Sequence, residues 1–302
     1  MEERPPPISR HRSSSPATRT LATLGGLILG MGVLAAIAFA VVGRGDETAA
    51  TTAPATSGPP PKPVLRIIFP EGFTIAEMSD RVRAVNKIAE QKRHVTPRLS
   101  PREYLRLGQG RTPPPGFPYK EKVPSLEGFL FPATYDFTED TTTKQLVRDQ
   151  LNAFMRAWSQ LDLRYAKSKD LNAYDVVIIA SMVEKEVQVP KERPLVAAVI
   201  YNRLHAGLPL GIDATIRYGL HIPPTEPIHE SELESDSPYN TRKFLGLPPT
   251  PIANPGLASL QAAAHPAKVD YLYFVRKADC KSHFFTASEQ EFLNYPRAGL
   301  NC

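Results

Sequence analysis

An uncharged segment of 22 residues, from Leu21 to Val42, is the feature that most constrains how this chain can be organised. A helix of this length crosses a hydrocarbon core of about 30 Å, since each residue adds about 1.5 Å. A cleaved signal peptide is the rival interpretation, although its apolar stretch usually has only about 7–15 residues. The small residues that follow the segment keep this alternative open.

The charges on either side of this segment predict its orientation. The residues before it include arginines at positions 4, 10, 12 and 19. An excess of positive charge marks the cytoplasmic side of a membrane span. We therefore expect a cytoplasmic tail over residues 1–20, a transmembrane helix over 21–43, and a single-pass protein of the cell inner membrane or plasma membrane whose body is extracytoplasmic.

The composition of the remaining chain indicates a folded body on a tether. Hydrophobic residues make up 42% and charged residues 22% of the chain, which is typical of globular proteins. The net charge of +5 is small and contains no run of Lys or Arg, which argues against a nucleic-acid partner. Residues 44–63 are rich in Pro, Thr and Ala and are expected to form a semi-extended linker.

The pattern of apolar residues predicts an α+β fold. Val64–Phe69 has the composition of a strand, and Thr74 with Glu77 has the spacing of a capping box at a helix start. We expect a small strand–helix unit over 64–110 and a domain of mixed helices and irregular strands over 111–302. Further strands are predicted over 129–137 and 270–277, and further helices around 147–158, 174–188, 192–205 and 259–267.

The helix predicted over 174–188 ends in two glutamates that flank one lysine. With a rotation of about 100° per residue, Glu184 and Glu186 lie on opposite borders of the apolar stripe, and Lys185 points away from it. A carboxyl at such a border is half desolvated, which raises its pKa and allows it to act as a general acid. Ordinary helix-edge glutamates are the alternative, and spacing alone leaves both interpretations open.

For each of four other titratable residues, the sequence allows a functional and a structural interpretation. Glu127 is either a second acid or a loop charge, and Asp213 either orients a substrate or caps a helix. His265 and His283 match no metal-ligand spacing and are expected to be structural. No metal or other cofactor is predicted.

The segment over 237–256 combines amide, hydroxyl and aromatic side chains with prolines. Side chains of these types are suited to line a sugar-binding site. An irregular, proline-braced surface loop is the alternative.

Seven blocks of sequence, in order, resemble a single family. They include SLEGFLFPATY (125–135), ASMVEKE (180–186), VIYNRL (199–204) and DATIRYGL (213–220), and the other three fall between residues 237 and 275. Together they are similar to the endolytic murein transglycosylases, the MltG or YceG-like family, over roughly residues 64–295. The strand–helix unit resembles the LysM-like subdomain of that family.

This resemblance implies a lytic transglycosylase. Such an enzyme cleaves the β-1,4 bond between N-acetylmuramic acid and N-acetylglucosamine in nascent peptidoglycan, leaving 1,6-anhydro ends and so terminating glycan strands. The first glutamate of the E-K-E motif, Glu184, is the implied catalyst, acting first as acid and then as base. Substrate positioning is expected from five further residues: Asp213, Tyr218, Asn240, Thr241 and Asn254. The expected partners are glycan strands, the cytoplasmic membrane and cell-wall synthesis enzymes.

Two other functions are open at this point. One is a peptidoglycan-binding scaffold without catalysis, and the other is a lysozyme-type hydrolase. The sequence departs from the family at Leu210–Thr215, where the family commonly has Leu-Gln-Ser/Thr-Asp-Pro-Thr, and this difference affects contacts expected at 211 and 212. Cys280 and Cys302 either form a disulfide, which export permits, or are unrelated thiols.

Overall fold

The computed structural model describes residues 62–119 and 124–296. The predicted tail, the transmembrane helix, nearly all of the linker, and Cys302 lie outside these ranges, and the statements about them stay predictions. Among the helices of the described ranges, none is long and apolar enough to cross a membrane. The described residues belong to one compact unit.

A short antiparallel sheet joins the start of this unit to a distant segment. Strand β1 (Leu65–Ile68) pairs with β2 (Thr134–Phe137). The strand predicted over 129–137 is therefore confirmed only in its last part. The preceding residues turn instead, because Gly128 adopts a φ of 90° and Pro132 has no backbone N–H to offer a neighbouring strand.

Three helices pack on this sheet. Helix α1 (Ile75–Arg93) begins at the predicted capping box, in which Thr74 and Glu77 each bond to the backbone of the other. Helices α2 (Pro101–Gln109) and α3 (Thr143–Trp158) follow. Their shared core consists of apolar side chains that include Ile67, Phe69, Met78, Tyr104, Leu126 and Leu130.

A second, larger core surrounds a buried helix. Helix α5 (Ala173–Glu186) begins at Asn172, whose side chain accepts hydrogen bonds from two backbone N–H groups of the first turn. Every residue from Val176 to Val183 is buried, so the helix is enclosed on all sides until its last turn. The remaining elements are α4 (Arg164–Lys167), a 3₁₀ turn (Pro190–Glu192), α6 (Arg193–Ala206), α7 (Asp213–Leu220), α8 (Glu230–Leu233), α9 (Leu257–Ala264), α10 (Glu289–Asn294) and the antiparallel hairpin of β3 (Tyr273–Arg276) and β4 (His283–Thr286).

The α+β class is confirmed, and so are the positions of α5, α6, α9 and β3. The sequence predicted neither α7 nor β4. Strand β1 lies in the unit predicted over 64–110, but the strand that it pairs with, β2, lies beyond residue 110. The division at residue 110 stays a prediction.

A buried side-chain contact ties the hairpin to the second core. His283 Nδ1 lies 2.8 Å from Oε2 of Glu192, and both side chains are almost completely buried. The backbone N–H of His283 also donates to the Glu192 carboxylate. These contacts give His283 a structural role.

Candidate active site

The end of α5 holds the E-K-E motif where the buried helix meets solvent. Lys185 is exposed and its ammonium group donates to the carbonyl of Gly72, at 3.3 Å. Glu184 and Glu186 lie on either side of it, each largely shielded from solvent, and they meet different neighbours. The motif therefore creates two separate carboxyl environments, one on each edge of the helix.

Two contacts hold the carboxyl group of Glu184 in place. Its Oε2 accepts a 3.0 Å hydrogen bond from the backbone N–H of Gly256, and its Oε1 lies 3.6 Å from Nη2 of Arg193. Only 6% of the Glu184 side chain is exposed. Arg193 is itself fixed by a 3.1 Å bond from its Nε to the hydroxyl of Ser259. A backbone donor and a guanidinium group both stabilise negative charge here.

Glu71 is a second carboxyl at this edge, and sequence analysis missed it. A β-carbon on Gly256 would lie 1.8 Å from Oε1 of Glu71, so the two residues are in direct contact. Burial raises the pKa of Glu71, and the negative charge of Glu184 acts in the same direction, whereas Arg193 opposes them. In the sequence, Glu71 belongs to a Pro-Glu-Gly turn and is not part of a helical or strand pattern, so nothing marked it as a site residue.

The environment of Glu186 favours a proton. Burial raises the pKa of this carboxyl to about 7, and the charge of Asp213 acts in the same direction. The positive charges of Arg276 and Arg242 and a hydrogen bond from the backbone N–H of Ala214 act against this rise. Glu186 can therefore hold or release a proton near neutral pH.

Three of the predicted substrate-positioning residues lie on the Glu186 edge. Asp213 is half-exposed at the start of α7 and accepts a 2.8 Å bond from Nε of Arg242. Thr241 is buried, and its hydroxyl oxygen accepts from the N–H of Ile212 at 3.0 Å. Asn240 is also buried and donates from its amide to two carbonyl groups of the preceding turn. The side chains of Thr241 and Asn240 thus shape the loop that presents Asp213 and Arg242.

The other two, Tyr218 and Asn254, converge on a buried carboxyl. Glu127 is 3% exposed and accepts from the backbone N–H of Ile75 at 3.1 Å. Asn254 Nδ2 donates to its Oε1 at 2.8 Å, and the hydroxyl of Tyr218 lies 3.2 Å from its Oε2. Burial raises the pKa of Glu127 to about 8, although these hydrogen bonds oppose the shift. This cluster lies inside the protein and links α1, α7 and the segment before α9.

A cavity of about 540 Å³ lies between β2, α3 and the start of α9. Leu257, which follows Gly256, forms part of its wall. The rest of its wall comes mainly from β2 and α3 and includes Tyr135, Asn152 and Arg156. Within residues 62–119 and 124–296, no group of His, Cys, Asp or Glu is arranged to hold a metal ion.

Comparison with known proteins identifies the family of this chain. The family model described as the YceG-like family matches residues 47–298, most of the chain. The chain belongs to the YceG-like family. Both edges of the E-K-E motif, the α7 segment and the α9 segment lie within the matched residues of this YceG-like chain.

Curated relatives of this YceG-like chain carry one name. A protein of Bacillus subtilis (strain 168) named endolytic murein transglycosylase is 39% identical over 160 residues, which are 51% of this chain and 42% of the relative. A protein of Streptococcus pneumoniae (strain ATCC BAA-255 / R6) with the same name is 40% identical over 157 residues, 50% of this chain and 28% of the relative. The aligned part of the chain thus spans less than half the length of these relatives.

A solved structure shares the fold. The crystal structure of a putative YceG-like protein from Listeria monocytogenes aligns with a TM-score of 0.59 and 29% sequence identity. The alignment covers 75% of this chain and 74% of the other. The predicted α+β architecture of the YceG-like family is therefore confirmed at the level of the fold.

Proposed function

We propose that this chain is an endolytic lytic transglycosylase of peptidoglycan. Its substrate is the β-1,4 bond between N-acetylmuramic acid and N-acetylglucosamine, and its product is a 1,6-anhydro-muramoyl end. Membership of the YceG-like family and the names of the two relatives support the substrate class. The observation that carries the chemistry is a half-buried carboxyl, Glu186, whose pKa of about 7 suits proton transfer in both directions.

One carboxyl is sufficient for this reaction. The protonated acid gives its proton to the glycosidic oxygen as the bond from that oxygen to C1 breaks. The resulting carboxylate then removes the proton of the C6 hydroxyl, and the C6 oxygen forms the new bond to C1. The carboxyl ends in its starting state and no water is consumed, whereas a two-carboxylate hydrolase needs a second acid at a set distance.

Within the E-K-E motif, the contacts favour Glu186 as the group that carries the proton. Burial and the charge of Asp213 favour its neutral form, which a general acid requires. Glu184, the residue implied by the family resemblance, is instead held by the Gly256 N–H and lies 3.6 Å from Arg193. The assignment of Glu184 as the catalyst stays a prediction, and we propose Glu186 as the stronger candidate.

The five substrate-positioning residues fall into two groups in this proposal. Asp213 is exposed enough to meet a glycan directly, and Thr241 and Asn240 hold its loop in place. Tyr218 and Asn254 act from within, since Asn254 has no exposed surface and Tyr218 bonds to Glu127. They position the α7 and α9 segments on either side of the motif.

The proposal also includes the location of the enzyme. A transmembrane helix over 21–43 would hold the body on the outer face of the cytoplasmic membrane, where strands are synthesised. Cleavage at that place would terminate nascent strands and bring the enzyme close to cell-wall synthesis enzymes. The strand–helix unit at the start of the body is proposed to bind peptidoglycan in the manner of a LysM-like module.

Mass spectrometry of the products from purified peptidoglycan tests the proposed activity. Anhydro-muramoyl ends are the expected result. Reducing muramoyl ends would identify a hydrolase, and bound but uncleaved strands would identify a scaffold. Either of these two outcomes overturns the proposal.

A further inference from the structure

The cavity of about 540 Å³ has a wall that the proposed reaction does not use. Four consecutive residues, from Ala133 to Asp136, form one side of it. Since successive residues of a strand point to opposite faces, a wall of consecutive residues follows the edge of β2 and not one of its faces. In the described part of the chain β2 pairs only with β1, so its other edge keeps backbone donors and acceptors that no strand uses.

The other side of the cavity is one face of α3. The wall residues on this helix follow one another at the spacing of a single helical face, which continues just beyond the helix end to Gln160. Two of them, Ala153 and Ala157, have short side chains that leave space above the helix. The others are polar: Asp149, Asn152, Arg156 and Gln160. A strand edge and a polar helix face thus enclose the same space.

The wall contains polar groups that the protein itself does not use. The side chains of Asn152 and Arg156 are exposed and have no hydrogen-bond or ion-pair partner within residues 62–119 and 124–296. An amide both donates and accepts, and a guanidinium group adds several donors in one plane. Phe131 and Tyr135 contribute apolar surface, and the hydroxyl of Tyr135 donates to the carbonyl of Phe131 at 2.7 Å, which fixes its ring. Free polar groups therefore lie beside a fixed aromatic surface.

The charges of the wall favour an uncharged ligand. Its ionisable groups are two carboxylates, Asp136 and Asp149, and the guanidinium group of Arg156. The arginines closest to these carboxylates, Arg66 and Arg148, lie outside the wall. The wall itself thus has no excess of positive charge, and its carboxylates would repel the carboxylates of a peptidoglycan peptide. Sugar rings carry hydroxyl and amide groups without charge, and they have apolar faces that suit aromatic side chains.

One wall residue stands next to a contact of the E-K-E motif. Leu257 lines the cavity, and the N–H of its neighbour Gly256 donates to Glu184 at 3.0 Å. Consecutive Cα atoms are only about 3.8 Å apart, so part of the wall lies close to this contact. The volume of the cavity is within the range of about 300–1,000 Å³ that is typical of ligand sites.

We propose that this cavity is a subsite for an uncharged sugar residue of the glycan strand, at a position along the strand away from the cleaved bond. This inference rests on the proposed function. Asn152 and Arg156 bind the hydroxyl and amide groups of the sugar, and Phe131 and Tyr135 pack against its apolar face. A strand held both here and at the motif is gripped along its length, which suits an enzyme that cuts within strands.

The test measures the affinity of the full-length protein, in detergent micelles, for glycan strands from which an amidase has removed the peptides. Asn152→Ala/Arg156→Ala removes the unused polar groups and should raise Kd about tenfold, the usual effect of losing one or two hydrogen bonds. Alanine is favourable in a helix, so α3 should be kept. Ala153→Trp fills the cavity without removing a polar group and should weaken binding to a similar extent.

A matched double variant controls for the loss of exposed side chains. Arg102→Ala/Lys144→Ala changes exposed residues of α2 and α3 outside the wall and should keep the wild-type Kd. Thermal melts check that each variant is folded. Because the ligand is uncharged, the ratio of the Kd values of the Asn152→Ala/Arg156→Ala variant and the wild-type protein should change little between low and high salt.

Each contrary result has a distinct meaning. A wild-type Kd in both Asn152→Ala/Arg156→Ala and Ala153→Trp, or no binding of peptide-free strands by the wild-type protein, would overturn the subsite. If the free peptide binds instead, and the double variant loses this binding, the cavity is a peptide site and the sugar assignment is wrong. Anhydro ends formed by the wild-type protein would leave the proposed function in place in all of these cases. Their absence would overturn the proposed function, whereas the Kd values decide on the subsite.

Discussion

Asn254 donates a 2.8 Å hydrogen bond from Nδ2 to the buried carboxyl of Glu127, which lies 127 positions earlier in the chain. The same amide accepts, through Oδ1, the backbone N–H groups of Gly128 and Leu130. One side chain thus fixes the turn that carries Glu127 and the segment that leads to Gly256. Because Gly256 bonds to Glu184, this internal network determines the surroundings of the E-K-E motif.

The first prediction compares the two glutamates of the motif. Glu186→Gln keeps the shape of the side chain but removes the transferable proton, so anhydro-product formation should fall by at least about 10²–10⁴-fold, the usual value of general acid–base catalysis. Glu184→Gln keeps an acceptor for the Gly256 N–H and should reduce the rate only a few-fold. Product formation by both variants, with thermal melts to check folding, is the measurement. If Glu184→Gln is inactive while Glu186→Gln still cleaves, Glu184 is the catalyst, as the family resemblance implied.

The second prediction concerns the pH dependence of activity. Glu186 must be protonated to donate, so kcat/KM should fall as the pH rises through about 7. Removing the charge of Asp213 lowers the pKa of Glu186, and Asp213→Asn should therefore move this descending limb to lower pH. Asp162→Asn, at a surface pair with Arg164, should leave the limb where it is. A limb that does not move in Asp213→Asn would show that another group controls the reaction.

Features that depend on interactions between neighbouring residues could be predicted from the sequence, whereas features that depend on contacts between distant residues could not. Helix α5 and the opposite edges of its two glutamates follow from a local period and a local cap, so they could be predicted. The neighbours of each carboxyl could not. Lys185 and Glu184 meet residues of the Glu71–Gly72 turn more than a hundred positions away, and no periodic signal records such a contact. Arg276 likewise depends on how the hairpin packs.

The third prediction tests the contact between Gly256 and Glu71. A β-carbon at Gly256 would collide with the Glu71 carboxyl, but this is the end of a flexible, exposed side chain that can move aside, so Gly256→Ala should lower the free energy of unfolding by about 1 kcal/mol at most, the low end of the usual cost of overpacking. Glu71→Ala alone should change stability little, because Glu71 is only partly buried and keeps a large exposed surface. The double variant should recover most of the loss, since truncation removes the colliding atoms. Denaturant unfolding of all three variants measures this coupling, and strictly additive effects would contradict the contact.

The fourth prediction concerns topology. If residues 21–43 span the membrane with the N-terminus inside, protease added to spheroplasts should digest the body. The same protease added to whole cells with a closed envelope should leave the body intact. The uncharged segment and the arginines before it are the basis of this expectation. A body that is protected in spheroplasts until detergent is added would refute the assignment.

The last prediction concerns the proton on Glu127. Its pKa in the folded protein is about 8, above the usual 4.5, so between these values the folded protein binds more protons than the unfolded chain. The free energy of unfolding should therefore fall as the pH rises from about 4.5 to about 8, and Glu186 contributes in the same direction up to about 7. The hydroxyl of Tyr218 donates to Oε2 of Glu127, and it can rotate to accept from the carboxyl once this is protonated, while Oε1 accepts from Ile75 and Asn254.

Glutamine reproduces this neutral arrangement at every pH. Glu127→Gln should therefore be more stable than the wild-type protein at pH 8, nearly equal to it at pH 5, and less dependent on pH between them. Glu90→Gln, on the exposed face of α1, is the matched control and should follow the wild-type curve. Denaturant unfolding at a series of pH values is the measurement. Because Asn254 and Tyr218 both bond to this carboxyl, a curve for Glu127→Gln that stays parallel to that of the wild-type protein would mean that Glu127 is ionised in the folded state, and that this network is held together by charge.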